Sequence, residues 1–112
     1  MTPFYRPLIG ELSQKVLGDN LLGLQLGNEP DLYHNNQIRG ESYTPQQYTE
    51  EWGTVLNDYK NNPNIKNPNM FIAPSVCCGG GEGSIGWTPE QVFDTGFLDL
   101  YADSLAYISV EQ

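Results

Sequence analysis

Helix-type and strand-type hydrophobic patterns alternate along this chain. Apolar residues recur every three or four positions, as on one face of a helix, over residues 7–17, 45–60 and 89–104. Apolar runs typical of buried strands lie near residues 21–28, 70–76 and 106–111. This order of elements predicts an α/β fold with three parallel strands and flanking helices.

The three predicted helices are expected to pack on one face of the open sheet, each through its apolar positions. The expected packing residues are Leu8, Ile9, Leu12 and Val16 in the first helix, Tyr48, Trp52, Val55, Leu56 and Tyr59 in the second, and Val92, Phe93, Phe97, Leu100 and Tyr101 in the third. The third helix is expected to break or kink near Gly96.

The second and third helices share one start signal. Residues 44–47 and 88–91 both read Thr-Pro-x-Gln. In each, the threonine is a predicted N-cap, the proline fits the first helical position, and the glutamine completes a capping box. The repeat marks two successive β/α units, whose longer strand-to-helix loops suit a barrel with its site at the strands' carboxyl ends.

Asn28, Glu29 and Pro30 end the first predicted strand abruptly. Pro30 cannot extend the ladder, so a carboxyl group is delivered to the carboxyl end of a buried strand. That is where (β/α)8 barrels carry their chemistry, and glycoside hydrolases need such a group to protonate a leaving oxygen. We interpret Glu29 as a catalytic acid/base; the alternative is an ordinary turn.

The alternation of side chains along the first predicted strand leaves open whether Asn28 and Glu29 can face the same pocket. Leu22, Leu24 and Leu26 share one parity and are expected to face the helices. Strict alternation would place Asn28 and Glu29 on opposite faces. Both can line a pocket only if the strand bends or bulges there.

A longer set of residues resembles glycoside hydrolase family 79, which contains β-glucuronidases, heparanase and many secreted fungal members. The similar segments are residues 26–33 (LGNEPDLY), 43–45 (YTP) with Tyr48, 72–76 (IAPSV), 87–90 (WTPE) and 105–111 (LAYISVE). The resemblance implies a TIM barrel in which the three strands are the fourth, fifth and sixth. It also implies retaining hydrolysis of β-linked glycosides, with β-glucuronides expected first, without metal or organic cofactor.

Site roles follow from the same resemblance. Asn28 and Glu29 match the paired asparagine and acid/base of the family's clan, so Asn28 is expected to hold the sugar 2-hydroxyl. Ser75 and Gln112, at strand ends, are weaker candidates for substrate contact. The nucleophile of that clan ends the seventh strand, so Glu111 is interpreted as a residue near the pocket or as a solvated terminus.

A complete barrel needs about 250 residues, whereas this chain has 112. We therefore expect residues 1–112 to be a central slice of a catalytic barrel, an incomplete domain whose extracellular parent carries its signal elsewhere. The slice is expected to self-associate through open strand edges and to hydrolyse no glycoside alone. The alternative is a non-catalytic truncated sugar-binding or interaction fragment, which extending the reading frame would distinguish.

Charge and cysteine content argue against several classes of partner, whereas a carbohydrate substrate is what the resemblance implies. A formal net charge of −9 argues against nucleic acid and anionic membranes. The chain has one histidine and two adjacent cysteines, and these residues do not have the spacing of metal ligands. Because a disulfide between sequence neighbours is strained and uncommon, Cys77 and Cys78 are interpreted as small strand-end residues, or one pairs with a cysteine elsewhere.

Residues 81–86 (GEGSIG) match the dinucleotide-binding fingerprint after a strand. In that motif the helix begins inside the glycine loop, so that its amides meet the pyrophosphate. Here the helix signal at Thr88 and Pro89 lies beyond the third glycine. We therefore interpret this segment as a surface loop.

Overall fold

The helices and strands follow the order that the hydrophobic pattern predicts. The computed structural model describes residues 6–33, 37–40, 42–79 and 86–111, with side chains from Gly10 onward. The elements are α1 (Arg6–Leu17), β1 (Leu24–Gln25), α2 (Pro45–Lys60), β2 (Phe71–Val76), α3 (Pro89–Phe93), α4 (Phe97–Tyr101) and β3 (Leu105–Val110). Short 3-10 helices span Gly18–Asn20, Pro30–Leu32 and Ala102–Ser104. Gln112 and residues 80–85, which hold most of the glycine-rich segment, lie outside the described residues.

The three strands form one parallel sheet in the order β1-β2-β3. Leu24 is paired with Phe71 at the start of the sheet, and Ile72 with Tyr107 in the second pair of strands. Helix α2 connects β1 to β2, and α3 with α4 connects β2 to β3. The predicted α/β fold with three parallel strands and flanking helices is confirmed.

Strand β1 is much shorter than the predicted strand over residues 21–28. Only Leu24 and Gln25 pair with β2, and the Leu22 side chain is 72% exposed. Beyond the pair, Gly27 has φ 84° and Glu29 has φ 49°. Both values lie in the left-handed region, so the chain leaves the extended conformation and turns at this point.

Strand β2 is the central strand and the most buried one. It contains Pro74, which cannot donate to the ladder. The register with β3 is irregular between Pro74 and Val76, where Ser75 has φ 55°, and the Ala73–Pro74 peptide bond is cis. The irregularity is a bulge-like step at the carboxyl end of the strand.

Helix α2 begins and packs as predicted. Thr44 Oγ1 accepts from the Gln47 amide, and the Gln47 side chain accepts from the Thr44 amide. The whole predicted apolar face is buried. At its centre, the Trp52 ring contacts those of Phe71 and Phe97, with centroids 5.5 and 5.2 Å away. These aromatic contacts join α2 to the sheet and to α4.

The third predicted helix is two helices, separated by a turn at residues 94–96 in which Gly96 has φ 90°. The predicted break near Gly96 is confirmed, as is the second capping box, at Thr88. Phe97 is fully buried, but Leu100 is 64% exposed. The prediction for Leu100 was wrong because α4 packs against the core through Phe97, Leu98 and Tyr101.

Helix α1 packs through a face that the apolar pattern did not predict. Leu12 is 51% exposed and Val16 is 77% exposed. The helix instead contacts the chain through Gly10, which lies against the Tyr59 ring, and through Gln14, whose side chain hydrogen-bonds residues 66–67. The predicted packing of Leu12 and Val16 was wrong because α1 contacts the rest of the chain on the side that carries Gly10 and Gln14.

Helix α4 provides a matched test of the core. Replacing Phe97 by alanine should lower the free energy of unfolding by about 3–5 kcal/mol, because it removes a fully buried ring. Leu100→Ala, on the same short helix but exposed, should change it by no more than about 0.5 kcal/mol. Urea denaturation measures both, and equal losses would contradict the packing of α4.

Candidate functional site

The carboxyl ends of the three strands form one edge of the sheet. The Glu29 amide donates to the Ser75 carbonyl at 3.1 Å, and the Glu111 amide donates to the Val76 carbonyl at 2.9 Å. These bonds bring residues 28–29, 75–77 and 109–111 together along this edge. We call this set the carboxyl-end rim.

Glu29 occupies a tight turn on this rim. Its backbone is left-handed, with φ 49° and ψ 56°, and its carbonyl accepts from the Leu32 amide at 2.9 Å. Pro30 opens the 3-10 turn that follows. A left-handed residue that is not glycine costs about 1–2 kcal/mol, so the surrounding contacts must hold it there. The Glu29 residue is partly exposed, which leaves its side chain accessible from solvent.

Asn28 lies beside Glu29 and is exposed. Its Oδ1 accepts from the Gln25 side chain at 2.9 Å, and its backbone N–H hydrogen-bonds the Tyr33 hydroxyl. A Cβ at Gly27 would lie 2.3 Å from that hydroxyl, so only glycine fits there. Because the chain bends between β1 and Glu29, strict alternation of side chains does not apply there. Asn28 and Glu29 therefore need not lie on opposite faces of the sheet.

Ser75 is at the centre of the rim and is buried, with 1% of its surface exposed. Its hydroxyl lies 2.5 Å from that of Ser109, and its carbonyl accepts from Glu29. Ser75 thus links all three strand ends, and its contact with a substrate stays a prediction. Glu111 is partly exposed on the same rim, whereas Gln112 lies outside the described residues.

Asp31 is a site residue that sequence reasoning missed. It is 0% exposed. Both carboxylate oxygens accept from the Cys77 amide at 3.1 Å, and Oδ2 also accepts from the amides of Cys78 at 3.0 Å and Trp87 at 3.1 Å. In a turn, an aspartate is typically expected to hydrogen-bond backbone groups a few residues away, so nothing in the sequence indicates these distant partners.

Cys77 and Cys78 form a disulfide with each other, with Sγ atoms 1.92 Å apart. The interpretation of Cys77 and Cys78 as two unbonded small residues, or of one of them as bonded to a cysteine elsewhere, was therefore wrong. A disulfide between neighbours needs no third cysteine. It lies on the rim, next to the amides that Asp31 binds.

A second polar cluster lies near the end of β1. The Arg39 guanidinium binds the Glu51 carboxylate through two hydrogen bonds of 3.1 Å and lies over the rings of Tyr33 and Tyr43. The Tyr43 hydroxyl donates to the same carboxylate at 3.1 Å. Burial, and then the negative charge of Glu51, raises the pKa of Tyr43.

This cluster borders a pocket of about 280 Å³ between β1 and α2. Its lining is mostly apolar and aromatic, and neither Asn28 nor Glu29 belongs to it. Tyr33 connects the two regions because it lines the pocket and hydrogen-bonds Asn28. The carboxylate in the pocket lining, that of Glu51, is bound by Arg39 and Tyr43. Glu29 and Glu111 lie partly exposed on the rim, and we take the rim as the candidate active site.

Comparisons with known proteins assign no family to the chain. No protein-family model matches it, and no curated protein and no solved structure gives a match. Within the described ranges, no group of three or more His, Cys, Asp or Glu residues is placed to hold a metal ion. None of the helices described is long and apolar enough to span a membrane.

The buried tyrosines predict a loss of stability in alkali. Burial raises the pKa values of five of the tyrosines, Tyr33, Tyr43, Tyr48, Tyr59 and Tyr101. Above about pH 10 the unfolded chain releases phenol protons that the folded chain keeps, so the free energy of unfolding should fall as pH rises.

Tyr43→Phe should make that fall less steep because it removes one of these groups. Phenolate absorbance should develop at higher pH in the folded chain than in the urea-unfolded chain. Coincident titration curves would show that the tyrosines are not shielded as described.

Proposed function

We propose that this chain contributes the acid/base of a retaining glycoside hydrolase that acts on β-linked glycosides, with β-glucuronides as the first substrates to test. One observation carries the proposal. Glu29 follows β1 after a bend at Gly27, at the carboxyl end of a parallel α/β sheet, with its amide bound to the end of β2. This is where barrel enzymes hold their catalytic carboxyl groups.

The proposal includes a (β/α)8 barrel, with β1, β2 and β3 as its fourth, fifth and sixth strands. Support comes from the sheet order, in which consecutive strands are parallel neighbours joined through helices. Repeated β/α units of this kind build both barrels and open sheets. The resemblance of the Asn28-Glu29 segment to family 79 favours the barrel, and with it an extracellular parent enzyme.

In the proposed reaction, Glu29 protonates the glycosidic oxygen as the bond to the anomeric carbon breaks. A carboxylate nucleophile forms the glycosyl-enzyme at that carbon. Glu29 then removes a proton from the water that attacks the same carbon and releases the sugar. Asn28 holds the sugar 2-hydroxyl, Ser75 and Gln112 are weaker substrate contacts, and no metal or organic cofactor takes part.

Glu111 is not the proposed nucleophile, although it shares the rim with Glu29. In the proposed barrel β3 is the sixth strand. The clan that the Asn28-Glu29 segment resembles carries its nucleophile at the end of the seventh strand. The proposal therefore places the nucleophile on another strand, the seventh of the barrel.

The test of Glu29 is the leaving-group dependence of hydrolysis. The longest open reading frame that contains this sequence is expressed with Glu29 or with Glu29→Gln. Turnover of a β-glucuronide with a poor leaving group should fall about 10²–10⁴-fold in the variant, because that step needs proton donation. With a dinitrophenyl glucuronide, whose leaving group needs little protonation, the rate of the glycosylation step should fall far less.

Glu111→Gln is the matched control, since it removes another rim carboxylate and should change turnover little. Turnover that survives Glu29→Gln with both substrates would overturn the assignment. Sugar binding without turnover would favour a non-catalytic binding fragment. The 112-residue chain alone should be inactive, and turnover by it that Glu29→Gln abolishes would refute the proposed barrel slice.

We also propose that the 112-residue chain self-associates through the outer edge of β3. Tyr107, Ile108 and Val110 are each more than half exposed on this strand, and edge strands with apolar side chains pair readily. Light scattering should give a mass above 12.5 kDa, and Ile108→Lys should lower it. Leu100→Lys, at an equally exposed position on α4, should leave the mass unchanged; equal effects would contradict the role of β3.

A further inference from the structure

We infer that Asp31 is a positioning residue for Glu29, because its buried carboxylate fixes the turn that holds Glu29 on the carboxyl-end rim. The inference rests on the proposed function only where it concerns the catalytic role of Glu29. The structural part concerns the backbone of residues 29–31 and its attachment to β2. It can be tested without any glycoside.

The Asp31 carboxylate is enclosed by backbone from two other segments. Three amides, those of Cys77, Cys78 and Trp87, donate to it at 3.0–3.1 Å. The chain at Gly86 passes so close that a Cβ there would lie 2.3 Å from Asp31 Oδ2. The carboxylate therefore holds the end of β2 and the approach to α3 in one place.

Only Pro30 separates this anchored side chain from Glu29. The ring of Pro30 fixes one backbone angle, and Pro30 and Asp31 are both buried. The turn therefore has two attachments to the end of β2, Glu29 amide to Ser75 carbonyl and Asp31 carboxylate to Cys77 amide. Because the left-handed backbone of Glu29 is intrinsically disfavoured, loss of one attachment should let the turn relax.

An aspartate suits this position because its hydrogen-bond partners among the described residues are all donors. A carboxylate offers only acceptors, whereas an asparagine side chain presents one acceptor and an NH₂ group. In Asp31→Asn that NH₂ group would face backbone N–H groups. The substitution keeps the size of the side chain and removes acceptors, which makes it the appropriate variant.

Amide hydrogen exchange, followed by NMR, tests the inference on the full 112-residue chain. In Asp31→Asn the amides of Cys77, Cys78 and Trp87 should exchange about tenfold faster or more, and the Glu29 amide should exchange faster with them. The Leu24 amide is the internal control. It donates to the Met70 carbonyl at 2.9 Å, between the same two chain segments but at the other end of β1.

Three outcomes would overturn the inference. Unchanged exchange at Cys77, Cys78 and Trp87 would show that the carboxylate does not protect these amides. Faster exchange there with an unchanged Glu29 amide would show an anchor that does not position Glu29. Equal acceleration at Leu24 and Glu29 would show general destabilisation only.

The unsubstituted chain gives a second measurement if Asp31→Asn does not fold. In low concentrations of urea, the amides of Glu29, Cys77, Cys78 and Trp87 should open with one common dependence on urea, distinct from that of Leu24. Opening of Glu29 together with Leu24 would overturn the inference. A failed glycoside assay would count against the proposed function alone, since exchange reports the turn directly.

Discussion

The buried carboxylate of Asp31 is the interaction on which the carboxyl-end rim depends. Burial of an ionised group costs several kcal/mol unless hydrogen bonds replace its water, and bonds to a charged group contribute about 1.5–3 kcal/mol each. Three amides supply those bonds here. The same bonds satisfy the backbone donors of Cys77, Cys78 and Trp87. The carboxylate and the chain ends around it therefore hold one another in place.

The aromatic core fixes the sheet on which this rim is built. Trp52 lies between Phe71 of β2 and Phe97 of α4, and Tyr48 stacks on Phe97 at 5.8 Å. These contacts are apolar and set the position of the helices over the sheet, but they do not specify the conformation of a turn. Directional hydrogen bonds at the strand ends do so. The fold and the rim thus depend on different kinds of interaction, and a change in one need not abolish the other.

Local features of this structure could be predicted from the sequence, and non-local ones could not. The capping boxes at Thr44 and Thr88 are confirmed because their partners lie three residues away. The parallel sheet is confirmed because alternating helices and strands favour it. The outward positions of Leu12 and Leu100 depend on how α1 and α4 pack, which periodicity does not report. The partners of Asp31 are 46 to 56 residues away in sequence, beyond any local signal.

The position of Glu29 shows why the site was only partly predictable. Its place at a strand end follows from the apolar run and Pro30, which are local. Its orientation does not follow from strand parity, because the chain leaves the strand conformation at Gly27 before it reaches Glu29. From there the conformation is set by the Ser75 carbonyl and by Asp31. The residue proposed for catalysis is thus supplied by the first strand and oriented by the end of the second, so its geometry belongs to the pair of strands.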